Sequence, residues 1–278
     1  MEPTSEVVMA RPAPVLGAFI DRYVGYRMVG FAPGLHRGLP SRHMTFIVGI
    51  GHTIDVIAHT DPAQSPGAYR GVLSGLQASN ALIAHDGYQE GIGIELTPLG
   101  SRALFGMPAA ELWDTTVESA HVLGPPGARL WERLQSTTRW SRRFAVCDEV
   151  LGDLVRPDRV VGPELTWTWQ RIVRSGGTVR IGGLAAGIGW SRQHLTRRFD
   201  QEFGLRPKLA SKITRFERAR RMLGDAPSYS TIAQVAAVCG YYDQAHLNRD
   251  FAELAGTSPT MWLAEEIPSV QDEPGFAG

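Results

Sequence analysis

The sequence predicts an α+β protein, with a β-rich domain over residues 1–160, an all-helical domain over 161–265 and an acidic tail over 266–278. Three observations carry this expectation. Between residues 43 and 97 short β-branched runs alternate with Gly, Pro, Asp and Ser clusters, at roughly 10–13-residue spacing, as in a small antiparallel barrel or sandwich. Past Gly162-Pro163 the apolar residues recur at helical spacing. Within that second stretch one sequence unit occurs twice.

In chain order, residues 14–29 mix apolar and aromatic residues and are expected to form a short helix before the first strand. His43–Ile50, Thr53–His59, Ala68–Leu76, Asn80–His85 and Gly91–Thr97 are the expected strands. Leu99–Phe105, Pro108–Trp113 and Ala128–Leu134 follow as short helices, Pro108 suiting a first helical position. A longer helix from Ser141 to Val155 places Phe144, Cys147, Val150, Leu151 and Leu154 on one face, which either covers the barrel or, as favoured here, pairs two subunits. Gly162-Pro163 punctuates the domain boundary. The helices expected beyond it span 163–175, 180–188, 191–203, 207–223, 230–239, 243–255 and 259–265.

Composition narrows the class. At 278 residues there is room for about two domains, and 43% hydrophobic residues suffice for real cores. Cys147 and Cys239 cannot build a disulfide framework, lack Cys-x-x-Cys spacing, and read as small buried hydrophobes. The start, MEPTSEVVMARP, has no apolar run, and stretches such as Phe46–Ile50 fall far below the ~20 residues of a membrane helix. A cytoplasmic protein without a membrane partner is therefore expected.

The formal charge is zero, from 28 basic and 28 acidic residues, but it is unevenly spread. Residues 1–163 hold 14 basic and 16 acidic residues, 164–263 hold 14 and 8, and 264–278 hold none and four. The helical domain thus carries +6, the sign expected of a module that binds a polyanion.

The repeat says more. His194-Leu195-Thr196-Arg197-Arg198-Phe199, then Gly204 and Pro207, recurs as His246-Leu247-Asn248-Arg249-Asp250-Phe251, then Gly256 and Pro259, at a constant offset of 52 residues. Each unit has the logic of a helix-turn-helix: a small-residue helix, a Gly turn at 189 or 240, then a Ser191 or Asp243 cap opening a second helix. That helix buries Leu195, Phe199 and Phe203, or Leu247, Phe251 and Leu254. Its other face offers Arg192, Gln193, Thr196 and Arg197, or Gln244, Ala245, Asn248 and Arg249 with His246 beside them. Such side chains can reach base edges in the major groove. His194 and His246 precede core leucines and also suit helix packing. Residues 207–223 form a helix of roughly 25 Å between the units, a spacer that suits successive major grooves about 34 Å apart. Ser191, Arg192, Lys208, Lys212, Arg215 and Arg220 are expected on phosphates.

Residues 164–265 resemble the DNA-binding domain of the AraC/XylS family of transcription regulators. The resemblance is strongest over Gly240-Tyr241-Tyr242-Asp243-Gln244-Ala245-His246-Leu247-Asn248-Arg249-Asp250-Phe251, continuing through Gly256-Thr257-Ser258-Pro259. Leu247 stands where the family more often has Phe, and Trp262-Leu263 where it often has Tyr-Arg. The resemblance implies base readout by Gln193, Thr196 and Arg197 in one unit and by Gln244, Ala245, His246 and Arg249 in the other. It further implies a double-stranded DNA partner, RNA polymerase contact, transcription activation and a homodimer. The first domain, with its GIGIELTPLGSRALFGMPAAELWD run, resembles an actinobacterial subtype of the family's cupin-like sensor barrels. This implies control by a small-molecule effector or by oligomerisation without naming a ligand.

A rival reading is an enzyme, either a cupin-type metalloenzyme or a DNA-repair enzyme carrying such a module. His36, His43, His52, His59 and His85 raise it, but close His-x-His spacing is missing, and no cofactor, metal or catalytic residue is expected. Asp86, Glu90 and Glu95 show no partner pattern for acid-base work. Tyr69, Tyr88, Trp113 and the strand aliphatics suit a pocket wall and a plain core equally.

Overall fold

The computed structural model describes residues 3–224 and 231–265. The larger of two antiparallel sheets runs β1-β2-β9-β4-β7-β10, from β1 (Thr4–Ala10), β2 (Ile20–Val29), β4 (Thr45–Gly49), β7 (Gly71–Ser74), β9 (Gln89–Leu96) and β10 (Thr116–Glu118). The smaller runs β3-β8-β5-β6, from β3 (Gly34–Gly38), β5 (Ile54–Ala58), β6 (Gly67–Tyr69) and β8 (Ala81–His85). The sheets face each other without closing into one barrel. All five expected strands form, Ala68–Leu76 being divided by a turn at Arg70.

The expected helix over 14–29 is a correction: most of that segment is β2, which pairs with both β1 and β9. Its two faces are both covered. Val24, Tyr26 and Met28 look into the space between the sheets, while Tyr23 stacks on Phe144 at 5.9 Å on the other side. A strand buried on both faces reads as a continuous apolar run, without the alternation that marks a half-exposed one.

The outer face of the larger sheet is covered by helices. α1 (Gly100–Phe105) and a 3-10 turn (Ala109–Leu112) precede α2 (Ser119–Leu123), α3 (Pro125–Gln135) and α4 (Trp140–Gly152). Phe144, Cys147, Val150 and Leu151 of α4 are buried in one apolar cluster with Tyr23, Ile92 and Ile94. The face expected to pair subunits is therefore occupied within the domain. Arg143 adds a buried 2.6 Å ion pair to Glu90. Burial raises the Glu90 carboxyl, but hydrogen bonds from Tyr88 and Arg143 outweigh it and leave the group below its ordinary value.

The second domain follows the expected helices to within a few residues. It comprises α5 (Pro163–Arg174), α6 (Ile181–Gly187), α7 (Arg192–Phe203), α8 (Pro207–Gly224), α9 (Ile232–Val238), α10 (Gln244–Ala255) and α11 (Pro259–Glu265). Its core gathers Trp169, Leu195, Phe199, Phe203, Phe216, Leu247, Phe251 and Trp262, and admits Leu39, Leu76 and Leu99 from the β-rich domain. Ion pairs Arg42–Glu217 (2.9 Å), Arg102–Glu202 (2.7 Å) and Arg37–Glu265 (2.9 Å) cross the same boundary. The acidic tail over 266–278 lies outside the described residues.

Candidate nucleic-acid interface and ligand cavity

The two units are built alike. Ser191 opens α7 by accepting the His194 amide at 3.1 Å, and Asp243 opens α10 by accepting the His246 amide at 2.7 Å. Each cap satisfies a helix-end N–H that would otherwise lack a partner. His194 sits edge-on to Trp190 (centroids 4.6 Å apart), and His246 sits edge-on to Tyr241 (5.0 Å). The two histidines thus share one packing role, and neither is fully exposed.

Among the residues expected to read bases, Gln193, Arg197, Gln244, Ala245 and Arg249 are exposed. Thr196 is half-buried and its hydroxyl donates back to the Arg192 carbonyl at 2.9 Å. His246 is half-buried against Tyr241. Arg192, Gln193, Thr196, Arg197 and Asp200 of α7, with Arg206 beyond its end, border one shallow depression, so this face combines three cations with one carboxylate and with amide and hydroxyl groups.

The residues expected on phosphates divide. Ser191, Arg192 and Lys208 are exposed. Lys212 lies 3.3 Å from Asp250 and 2.5 Å from Glu253, and Arg215 lies 3.7 Å from Asp250 and packs 4.7 Å over the Tyr241 ring, so both tie α8 to α10. Arg220 is a correction: it is 2% exposed and faces the β-rich domain, away from any surface that could meet a phosphate. The helical spacing of α8 shows that Glu217, Arg220 and Arg221 lie close on one side. It cannot show that another domain covers them.

That covered side closes a cavity of about 670 Å³ between the two sheets. Val24, Tyr26, Met28, Phe46, Ile54, Val56, Val72 and Ile83 line it, and Glu217, Arg220 and Arg221 of α8 complete the wall. His36 and His85 of the small sheet also line it. Burial, with His85, Arg220 and Arg37 nearby, pushes the His36 imidazole down to about 4, so it is neutral at pH 7. Tyr88 borders the cavity. Trp113 packs on the end of α7, and Tyr69 reaches His59 Nε2 at 3.3 Å.

One side of the cavity holds a charge network. His43 Nε2 is 2.7 Å from Asp21 and 3.9 Å from Glu95. Among the described residues these three form the group whose spacing could hold a metal ion. Arg22 already lies 2.7 Å from Glu95, however, and Arg42 lies 3.5 Å from Asp21. Burial raises the Asp21 carboxyl, yet its hydrogen bond to His43 and the charges of His43 and Arg42 bring it to about 2. An added cation would meet two guanidinium groups, which identifies the cluster as an ion network. Sequence reasoning missed Asp21, Arg22 and Arg42, and did not place Glu217 and Arg221 of α8 in a cavity wall. No alternation marked β2, because both of its faces are covered, and Val24, Tyr26 and Met28 become an inward face only with the cavity beneath them.

Comparison with known proteins follows the same division. Residues 184–265 match the family described as a helix-turn-helix domain, and residues 9–118 match a domain of unknown function, DUF6597. The chain is 31% identical over 138 residues to the HTH-type transcriptional regulator Rv1931c of Mycobacterium tuberculosis, a match covering 50% of each protein. It thus spans about half the length of that curated relative. ToxT of Vibrio cholerae has the same overall fold, with a TM-score of 0.52 at 12% identity over 95% of this chain and 98% of that one. Another ToxT structure, bound to (E)-4-(8-methylnaphthalen-1-yl)but-3-enoic acid, aligns with a TM-score of 0.51 at 11% identity over 95% and 99%. Residues 184–265 thus match a helix-turn-helix family, and the chain carries its paired units behind a β-rich domain in the fold that ToxT also has.

Proposed function

We propose that this chain is a sequence-specific, double-stranded-DNA-binding transcription regulator. The observation that carries the reading is the equivalent presentation of exposed polar and cationic side chains on α7 and α10. Arg192, Ser191 and Lys208 hold the backbone and supply salt-dependent affinity. Gln193 and Arg197, with Gln244, Ala245 and Arg249, read bases, and the half-buried Thr196 and His246 border that face.

The test is selection of duplex DNA from a random pool by the purified chain, followed by footprinting of variants. Arg197→Ala and Arg249→Ala are expected to relax preference at single base positions, by ~1–3 kcal/mol each if the contact is bidentate. Arg192→Ala is expected to weaken all sequences alike. A uniform loss for Arg197→Ala would remove α7 from direct readout.

Control by a small molecule belongs to the same proposal. The cavity is walled on one side by α8, the helix that joins the two units, so an occupant would touch the DNA-binding domain itself. A neighbour in fold, ToxT, has been obtained with an aryl-substituted carboxylic acid bound. Here the apolar walls, with Arg22 and Arg221 paired to Glu95 and Glu217 beside them, suit an apolar monocarboxylate that takes over one of those guanidinium groups. A ligand that binds only the folded chain raises its melting temperature. Aryl and long-chain monocarboxylates should do so, and their neutral amides should not. Equal shifts from acid and amide would remove the carboxylate from the proposal. Dimerisation, RNA polymerase contact, activation and a cytoplasmic location complete the reading. Among the described residues, no helix is long and apolar enough to cross a membrane.

A further inference from the structure

Two helix-turn-helix units give a bipartite reader only if their relative orientation is fixed. Two linked modules gain affinity when the link holds both at the spacing their sites require. Helix α8 fixes the distance between them, but an element touching both units is needed to resist rotation about its axis.

Such an element is supplied by the β-rich domain. Residues 75–80 and 109–115 are held together as one platform. Gly75 N–H donates to Leu112 O at 2.8 Å, Asp114 N–H to Leu76 O at 3.2 Å, and the Thr60 hydroxyl to Asp114 O at 3.2 Å. Asp114 has φ of 56°, the one positive value found for a non-glycine among the described residues. Such a conformation persists where its surroundings enforce it.

The platform meets the units at Gly204, which ends α7, and at Gly256, which ends α10. These glycines are equivalent in the repeat, and both adopt left-handed backbone angles (φ 79° and 66°). A Cβ on Gly204 would lie 2.5 Å from Trp113 Cβ, and a Cβ on Gly256 would lie 2.8 Å from Asn80 Oδ1. The platform therefore sits directly on the bare backbone at the same point of both units. Leu76, beside Asn80, joins the apolar core of the helical domain.

We infer that Trp113 and Asn80 are positioning residues for DNA recognition, which lock α7 and α10 in one mutual orientation and thereby set the spacing of the two half-sites. This inference rests on the DNA-binding reading above. The experiment uses the full chain and the duplex that it selects in vitro. Affinity is measured for that duplex, for the same duplex with one base pair inserted between its halves, and for each half with the other scrambled.

The unaltered chain is expected to lose about tenfold or more on the insertion, because only one unit can then engage well. Asn80→Ala is expected to lose less than about threefold on the insertion, while binding each isolated half as the unaltered chain does. Trp113→Ala should behave likewise. If its thermal melt shows that it has not folded, Asn80→Ala decides alone. An unaltered chain that tolerates the insertion overturns the inference. So does an Asn80→Ala variant that keeps full sensitivity to spacing, or one that is weakened equally on isolated halves. In each of those cases the DNA-binding reading stands. If the chain selects no duplex, that reading falls and takes this inference with it.

Discussion

Arg220 and Arg192 carry the same charge in the same domain, but their surroundings give them different tasks. Arg192 is exposed at the start of α7, whereas Arg220 is buried against the β-rich domain and borders the cavity. Counterion release requires a cation that can approach a phosphate, so only the first should contribute to the salt dependence of DNA affinity. Arg192→Ala is expected to reduce the slope of log K against log salt by about 1, and Arg220→Ala to leave it unchanged. A reduced slope for Arg220→Ala would mean that the domains separate on DNA and expose α8. Arg143 makes the same point about burial in a structural role. Its guanidinium, with a side chain only 4% exposed, neutralises Glu90 beneath α4. Replacing it with Ala leaves Glu90 with only the Tyr88 hydroxyl and the more distant Arg27 as partners, and is expected to cost ~1–3 kcal/mol in urea unfolding.

At the scale of elements, the repeat makes equal demands on equivalent residues. Ser191→Ala and Asp243→Ala each remove one side-chain acceptor from a helix start, and each is expected to cost ~1 kcal/mol in denaturant unfolding. Two near-equal losses would show that the units depend on the same local chemistry. These caps, the turn glycines and the Leu-Phe stripes were legible in the sequence because they are local, and the 52-residue offset presented each of them twice. Strand β2 was not legible, because its identity depends on helix α4 lying across one face and the cavity lying beneath the other. The buried side of α8 was hidden for the same reason. Helical periodicity places Glu217 near Arg220 and Arg221, but only the docked β-rich domain turns a basic stripe into an internal wall. The candidate site was therefore half readable: the exposed faces of α7 and α10 followed from sequence, and the cavity required the fold.

At the scale of the molecule, the two domains are joined by a charge network whose response to pH can be worked out. Glu217 is 4% exposed, and burial alone would raise its pKa. Arg42, His43 and Arg221 act in the opposite direction and bring it from 4.5 to about 2. The unfolded chain therefore takes up this proton first as pH falls. The stabilisation from Glu217 is complete above about 4.5 and is lost between about 4.5 and about 2. Asp21, lowered to about 2 in the same network, acts in the same direction. His36 also favours the folded state less in acid, but over a higher window that meets the first between 4.5 and about 4. Its pKa falls from 6.5 to about 4 on folding, so the unfolded chain gains its proton between those values. Two substitutions separate the contributions. Glu217→Gln should flatten stability against pH below about 4.5 and leave the higher window intact, whereas His36→Gln should flatten the range from 6.5 to about 4. The check is urea unfolding of the full chain across both ranges, followed by intrinsic tryptophan fluorescence. Trp113, one of seven tryptophans, packs where the domains meet, at the end of α7, and the part of the signal lost in Trp113→Phe reports their separation. If Glu217→Gln leaves the acid limb as steep as before, the Arg42–Glu217 pair does not hold the domains together, and the docking rests on Leu39, Leu76 and Leu99 in the shared apolar core.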